Sequence, residues 1–198
     1  DLWALSQAGP QESLNLTEKT QPLLLASSVA LWRAWIDEGG AAPTVLAGHS
    51  LGEFSALVCS GVLDFAATID LVKQRGQFMQ TAVPVGVGAM AAIIGLEDQA
   101  VVSCCESIHK PNHIVEAVNF NSPGQVVIAG HAQAVEQAIE ACKAAGAKRG
   151  LALPVSAPFH TSLMRPAGEQ LAEAVELLTF AKPKIPVVHN VTAQTEDD

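Results

Sequence analysis

The pattern Gly48-His49-Ser50-Leu51-Gly52 constrains this chain more than any other feature of its sequence. The short apolar run Val45–Ala47 before it predicts the end of a buried strand, and Glu53–Ser60 after it predicts a helix. A strand, a G-x-S-x-G turn and a helix together are the context of a nucleophile elbow. We therefore expect Ser50 at the tip of a strained turn, with both glycines letting the strand and the helix approach closely.

The first residue of the predicted helix gives the elbow a second chemical property. The amide of Leu51 would point at an oxyanion formed beside Ser50, and the positive end of the helix dipole lies behind that amide. The pattern also occurs by chance in unrelated chains, so a base and a substrate anchor must be found elsewhere in the sequence.

Composition excludes several classes of function. With 198 residues, 49% of them hydrophobic and 16% charged, the chain predicts a globular fold of one domain or two small ones. A net charge of −9 argues against a nucleic-acid partner. No apolar stretch is long enough to cross a bilayer, the N-terminus does not resemble a secretory signal, and we expect no membrane association. The chain lacks an initiator methionine, so we expect it to begin inside a longer protein.

Cysteines and histidines give no sign of a metal or cofactor. The four cysteines have no C-x-x-C spacing, which predicts free thiols in a reducing, cytoplasmic compartment. No two histidines share a zinc-ligand spacing with a carboxylate or thiolate. We expect neither a metal nor a cofactor.

The order of predicted elements indicates an α/β fold in two parts. Residues 84–155 predict strand, helix, strand, strand, helix and strand, the βαββαβ order of a ferredoxin-like unit. We interpret this unit as an insertion into a hydrolase-like parallel-sheet domain formed by residues 1–83 and 156–198, incomplete at both ends. In that domain, Thr20 and Pro22 suit the start of a helix that runs to about Glu38, with apolar residues on nearly all sides. We expect this helix to be buried on more than one side, with its two tryptophans in the core.

Two further residues are candidates for the chemistry of Ser50. Arg75 lies at the margin of the apolar face of the predicted helix 65–81. It either snorkels to water or directs its guanidinium into a partly buried site, where it would bind a carboxylate through two bonds. Of the six histidines, His160 is the best candidate for a base, because it is on a loop that leads into a helix with Ser162 as N-cap.

Four ordered motifs across the chain resemble one known family, the malonyl-CoA:acyl-carrier-protein transacylases of bacterial type II fatty-acid synthesis. The motifs are Gly48–Glu53, Gln74–Gly76 with Met79, Asn119–Gln125, and Pro158–His160 with Met164. The resemblance implies an acyltransferase in which Ser50 forms an acyl ester and His160 is the base. It also implies that the Leu51 amide is an oxyanion-hole donor, that Arg75 binds the malonyl carboxylate, and that Asn121, on a turn, lies near the substrate. The implied partners are malonyl-CoA and acyl carrier protein.

The resemblance is incomplete at both ends of the chain. The family's glycine-glutamine-glycine loop and its C-terminal part have no counterpart here, so we expect a fragment with an incomplete oxyanion hole. Two alternatives stay open: a serine esterase or lipase of the α/β-hydrolase type, which would have no need for Arg75, and a catalytically silent segment.

Overall fold

The computed structural model describes residues 1–155 and 157–195 and contains both helices and strands. The chain divides into two units, which we call unit 1 (Asp1–Gln77 and Gln170–Asp198) and unit 2 (Phe78–Glu169). The helices are α1 (Leu2–Ala8), α2 (Gln11–Leu14), α3 (Thr17–Asp37), α4 (Leu51–Cys59), α5 (Phe65–Thr81), α6 (Asp98–Ile108), α7 (Ala132–Ala144) and α8 (Arg165–Glu176). The strands are β1 (Leu46–Ala47), β2 (Gly88–Ile94), β3 (Val115–Ser122), β4 (Gln125–His131), β5 (Arg149–Ala152) and β6 (Val187–Val188).

Unit 1 contains a two-stranded parallel sheet with helices packed beside it. Strand β1 pairs with β6, with Leu46 opposite Val187. The apolar core joins three helices through Leu25 and Val29 of α3, Leu51 of α4 and Val72 of α5. Because Leu51 directly follows Ser50, this core fixes the first turn of α4 beneath the elbow.

Helix α3 differs from its prediction at its first turn. It begins at Thr17 rather than at Thr20, and Pro22 therefore lies inside the helix instead of in its first turn. The Thr20 backbone N–H donates to the Leu16 carbonyl at 2.9 Å, so Thr20 is already inside the helix. Its hydroxyl donates to the same carbonyl at 3.0 Å and does not cap the helix.

The prediction that α3 is buried on more than one side is also wrong for the described residues. Leu25 and Val29 are buried, but Leu31 is 73% exposed and Trp35 is 56% exposed. The Trp35 indole lies near the end of the helix, where its Nε1–H donates to the Ala41 carbonyl at 3.0 Å. Trp35 is therefore not a core residue.

Unit 2 contains a four-stranded antiparallel sheet in the order β3-β4-β2-β5. Its elements follow one another in the predicted order β2, α6, β3, β4, α7 and β5. Ile93, Val126 and Ile128 of the sheet pack with Val101 of α6 and Val135 of α7 in one core. The last strand of this unit, β5, pairs with β2, with Arg149 opposite Ile94.

The sequence-based domain boundaries stay a prediction. Residue 156, where the second segment of the predicted parallel-sheet domain begins, and residues 196–198 lie outside the described residues. No helix in the described part of the chain is both long and apolar enough to cross a bilayer.

Candidate functional site

Ser50 lies between the end of β1 and the start of α4, as the elbow pattern predicts. Its backbone has φ 52° and ψ −108°, a conformation that non-glycine residues rarely adopt and that costs about 1–3 kcal/mol. Gly48 permits the turn, because a Cβ there would lie 2.0 Å from the carbonyl carbon of Gly52. A Cβ on Gly52 would meet none of the described residues within 4 Å. The prediction that the strand and the helix can approach closely only with a glycine at both positions is therefore wrong for Gly52. Gly52 instead supplies the backbone that Gly48 approaches.

Leu51 is the first residue of α4, and its amide belongs to the helix turn that has no intrahelical partners. The two following amides bond backward, from Gly52 to the His49 carbonyl at 2.9 Å and from Glu53 to the Ser50 carbonyl at 3.2 Å. These bonds close the turn around Ser50. The Leu51 amide is therefore held in a rigid position next to the hydroxyl.

Arg75 of α5 directs its guanidinium to Ser50 and does not snorkel to solvent. Its Nη2 donates to the Ser50 Oγ at 3.0 Å, and its Nη1 donates to Gln21 Oε1 at 2.6 Å. The guanidinium carbon lies 5.7 Å from the centre of the Phe54 ring. Burial lowers the pKa of Arg75 from its usual value by desolvation. No carboxylate within residues 1–155 and 157–195 forms a salt bridge with Arg75. Within the described part of the chain, a cation that forms no salt bridge thus lies beside the serine hydroxyl.

Gln21 is a site residue that the sequence reasoning missed. Its side chain is 5% exposed on α3, and its Nε2 donates to Thr17 Oγ1 at 2.9 Å while its Oε1 accepts from Arg75. Helices α3 and α5 approach closely at Gly76, where a Cβ would lie 2.6 Å from the Glu18 Cα. A neutral amide between Thr20 and Pro22 gives no local signal, and only the helix crossing reveals its role.

Asn190 is a second residue that the sequence reasoning missed. Its Oδ1 accepts from the Ser50 amide at 2.6 Å, and its Nδ2 donates to the Gly48 carbonyl at 2.6 Å. The Glu53 carboxylate accepts a hydrogen bond from the backbone N–H of Asn190 at 3.1 Å and lies 2.7 Å from His189 Nδ1. The segment after β6 is therefore bonded both to the elbow and to the first turn of α4.

His160 lies in unit 2, on the turn before a short 3₁₀ segment (Ser162–Met164) that leads into α8. It is exposed and has a positive φ of 65°. The prediction that Ser162 caps the following helix is wrong, because Ser162 bonds elsewhere. Its Oγ donates to Glu116 Oε1 at 2.6 Å and its amide donates to Glu116 Oε2 at 2.9 Å. Glu116, which the sequence reasoning also missed, thus anchors the loop that carries the histidine.

Asn121 lies near the end of β3 in unit 2 and is exposed. The sequence placed it on a turn, but the strand continues to Ser122 and the turn follows at residues 123 and 124. Gly124 has φ 74°, and its amide donates to Asp98 Oδ1 at 3.1 Å. The turn residues fix the β3–β4 connection, whereas Asn121 belongs to the strand.

The arrangement around Ser50 suits acyl chemistry on an anionic substrate. A hydroxyl at the tip of a rigid turn can attack a carbonyl carbon, and the neighbouring guanidinium can bind a carboxylate through two parallel bonds. Among the described residues, no group of three or more histidine, cysteine or acidic side chains could hold a metal ion.

Comparison with known proteins gives consistent results along the whole chain. Residues 3–198 match the model of the acyl transferase domain family. The malonyl CoA-acyl carrier protein transacylase of Escherichia coli (strain K12) is 60% identical over 196 residues, which is 99% of this chain. The structure of the transacylase from Coxiella burnetii is 48% identical over 100% of this chain, with a TM-score of 0.98. A malonyl-transacylase solved in complex with a type II PKS acyl-carrier protein is 56% identical over 100% of this chain, with a TM-score of 0.97.

The matched proteins are longer than this chain. The chain spans 63% of the length of the Escherichia coli protein, 62% of the Coxiella burnetii chain and 64% of the transacylase in the complex. The match nevertheless covers nearly every residue of the present sequence, including the elbow, Arg75 and the His160 loop. This chain belongs to the acyl transferase domain family.

Proposed function

We propose that the intact protein transfers a malonyl group from CoA to the phosphopantetheine thiol of acyl carrier protein, in fatty-acid biosynthesis. The observation that carries the proposal is the Arg75 guanidinium, which donates to the Ser50 hydroxyl and has no salt bridge to a carboxylate within the described residues. A malonyl thioester has a free carboxylate a short distance from its reactive carbonyl. The names of the related proteins, malonyl CoA-acyl carrier protein transacylases, support the same substrate pair.

In the first half-reaction, the Ser50 Oγ attacks the thioester carbonyl carbon while His160 accepts the hydroxyl proton. The resulting oxyanion receives a hydrogen bond from the Leu51 amide, which the rigid turn holds beside Ser50. Collapse of the tetrahedral intermediate breaks the carbon–sulfur bond, and His160 returns the proton to the leaving CoA sulfur. Malonyl then remains as an ester on Ser50.

In the second half-reaction, His160 accepts the proton of the carrier-protein thiol, and the sulfur attacks the malonyl-serine ester. Collapse of this second intermediate breaks the carbon–oxygen bond, and the proton returns to Ser50. The sequence of steps uses no redox group and leaves the enzyme unchanged. The solved complex of a related malonyl-transacylase with an acyl-carrier protein supports a carrier protein as the partner.

Arg75 gives the site its preference for malonyl over acetyl groups. Its guanidinium is partly desolvated and preorganised by Gln21, so that a substrate carboxylate meets an oriented fork of donors. An acetyl group has no carboxylate to replace the solvation of this cation. A site built around a charged donor rejects a substrate that leaves the donor unpaired.

The finer fold assignment is part of the same proposal. We assign residues 84–155, which lie within unit 2, to a ferredoxin-like subdomain inserted into a hydrolase-like parallel-sheet domain. The βαββαβ order and the strand order β3-β4-β2-β5 support this assignment. Asn121 is assigned to the substrate region on family resemblance. A cytoplasmic location is supported by the free thiols of Cys59, Cys104, Cys105 and Cys142.

The test is mass spectrometry of the intact protein after brief exposure to malonyl-CoA, with peptide mapping. We expect one malonyl group on Ser50, no label in Ser50→Ala, and strongly slowed labelling in His160→Ala. Addition of holo acyl carrier protein should discharge the ester onto its thiol. A silent protein would remain unlabelled, and a serine esterase would hydrolyse neutral esters at a rate independent of Arg75. Either outcome would refute the transfer function.

A further inference from the structure

The strained turn at Ser50 is held at both ends by one side chain. The amide of Asn190 accepts from the Ser50 N–H through Oδ1 and donates to the Gly48 carbonyl through Nδ2, each at 2.6 Å. These two backbone groups flank His49, so a single planar amide bridges the three-residue turn. Because Ser50 has a φ of 52°, the turn persists only where its surroundings hold it in place.

The backbone of Asn190 is itself fixed to the helix that follows the elbow. The backbone N–H of Asn190 donates to Glu53 Oε2 at 3.1 Å, while Glu53 Oε1 lies 2.7 Å from His189 Nδ1. Glu53 lies in the first turn of α4. Asn190 therefore connects to the elbow by its side chain and to the helix below the elbow by its backbone.

These contacts bear on the position of the nucleophile. The Arg75 Nη2 reaches Ser50 Oγ at 3.0 Å only while the turn keeps the hydroxyl on that side. Relaxation of the φ angle of Ser50 would rotate the hydroxyl away from both Arg75 and the Leu51 amide. A displacement of about 1 Å at a nucleophile is enough to slow a reaction by roughly 100-fold.

We propose that Asn190 is a positioning residue, which acts through the Gly48–Ser50 backbone to hold the Ser50 hydroxyl in its reactive orientation. The inference rests on the proposed function in one respect, that Ser50 is the nucleophile. Asn190 does not bind substrate in this role, so its removal lowers the reactivity of Ser50 and leaves the affinity for malonyl-CoA nearly unchanged.

The test compares Asn190→Ala and Asn190→Asp with the wild type in the intact protein, using a fluorophosphonate that labels reactive serines. The second-order labelling rate per labelled site reports Ser50 orientation without any contribution from malonyl recognition. We expect at least a tenfold decrease for Asn190→Ala. We expect a smaller decrease for Asn190→Asp, which keeps the acceptor for the Ser50 amide but places a carboxylate oxygen against the Gly48 carbonyl. Malonyl transfer should show the same decrease in kcat with little change in KM.

Asn15→Ala is the matched control, because Asn15 is also an exposed asparagine whose side chain makes a hydrogen bond, to Gln11 at 2.9 Å. Its labelling rate should equal that of the wild type. A merely structural role of Asn190 would lower the fraction of protein that labels and leave the rate per labelled site unchanged, and that result would overturn the inference. If Asn190→Ala does not fold, wild-type reactivity of Asn190→Asp overturns it equally. If the wild type shows no malonyl transfer but Asn190→Ala still shows the decrease in fluorophosphonate labelling, the proposed function is refuted and the role of Asn190 is supported.

Discussion

Replacement of Arg75 by alanine tests the central contact of the site. The wild-type guanidinium donates to Ser50 Oγ at 3.0 Å and to Gln21 Oε1 at 2.6 Å, and it is partly desolvated. Alanine removes the positive charge, the two donors and the contact with Phe54. Ser50 keeps its backbone turn, because the bonds of the elbow to Asn190 do not involve Arg75.

The magnitude follows from the kind of bond that is lost. Hydrogen bonds to charged groups contribute about 1.5–3 kcal/mol each, and removal of one partner of a buried pair costs about 3–5 kcal/mol. The guanidinium is only partly buried, so we expect the lower part of this range, about 3–4 kcal/mol of malonyl recognition. At about 1.4 kcal/mol per factor of ten, kcat/KM for malonyl-CoA should fall roughly 100- to 1,000-fold.

The assay is transfer of radiolabelled malonyl and acetyl groups from CoA to acyl carrier protein by the intact protein. The ratio of kcat/KM for malonyl-CoA to that for acetyl-CoA should collapse in Arg75→Ala, because acetyl makes no bond to the guanidinium. Arg75→Lys should recover only part of the ratio, since an ammonium cannot form the two-bond contact.

Arg33→Ala is the control for loss of an arginine and of an aromatic contact, because the Arg33 guanidinium lies 4.9 Å from the Phe65 ring centre. Its substrate ratio should match the wild type. An unchanged malonyl-to-acetyl ratio in folded Arg75→Ala would refute the reasoning, whatever the absolute rates.

Three further predictions concern the surroundings of the site and the cores. Gln21→Glu should raise the KM for malonyl-CoA at least tenfold, because its carboxylate would pair with Arg75 and compete with the substrate; steady-state kinetics with Gln21→Leu as the uncharged comparison checks this. Gly76→Ala should lower the free energy of unfolding by about 1–3 kcal/mol in urea titrations, because its Cβ would lie 2.7 Å from the Thr17 carbonyl oxygen. Burial raises the pKa of the Cys105 and Cys142 thiols to about 12 in the folded protein. Below pH 9 the folded and the unfolded chain both keep these thiol protons. Between pH 9 and 12 only the unfolded chain releases them. Stability should therefore fall in that window by about 1.4 kcal/mol per pH unit and per thiol, and Cys105→Ala should reduce the slope in urea titrations at successive pH values.

The elbow could be predicted from the sequence because its constraints are local. Only glycine tolerates the contact at position 48, and the apolar run and helix on either side identify the turn. Arg75 was recognised as a candidate, but its position on the margin of a helix face left two orientations open. The contact with Ser50 resolves them, and it depends on the packing of α5 against α3 and α4.

The residues that the sequence did not reveal are those whose partners are distant in the chain. Gln21 is 54 residues from Arg75, and Asn190 is 140 residues from Ser50. Neither lies in a motif of its own, and an amide side chain suits many local structures. The start of α3 was mispredicted for a related reason, since a threonine hydroxyl can cap a helix or bond backward inside it, and the local sequence does not decide between the two.

The separation of Ser50 from Asn190 has a consequence for the protein during its synthesis. At about 5–20 residues per second, the ribosome needs on the order of ten seconds to translate the 140 residues between them. All of unit 2 is translated in that interval, before the strand that pairs with β1 exists. On the proposed roles of Ser50 and Asn190, the nascent chain carries a serine that is not yet positioned as a nucleophile, and its hydroxyl gains its reactive orientation only after Asn190 has emerged and folded back onto the elbow.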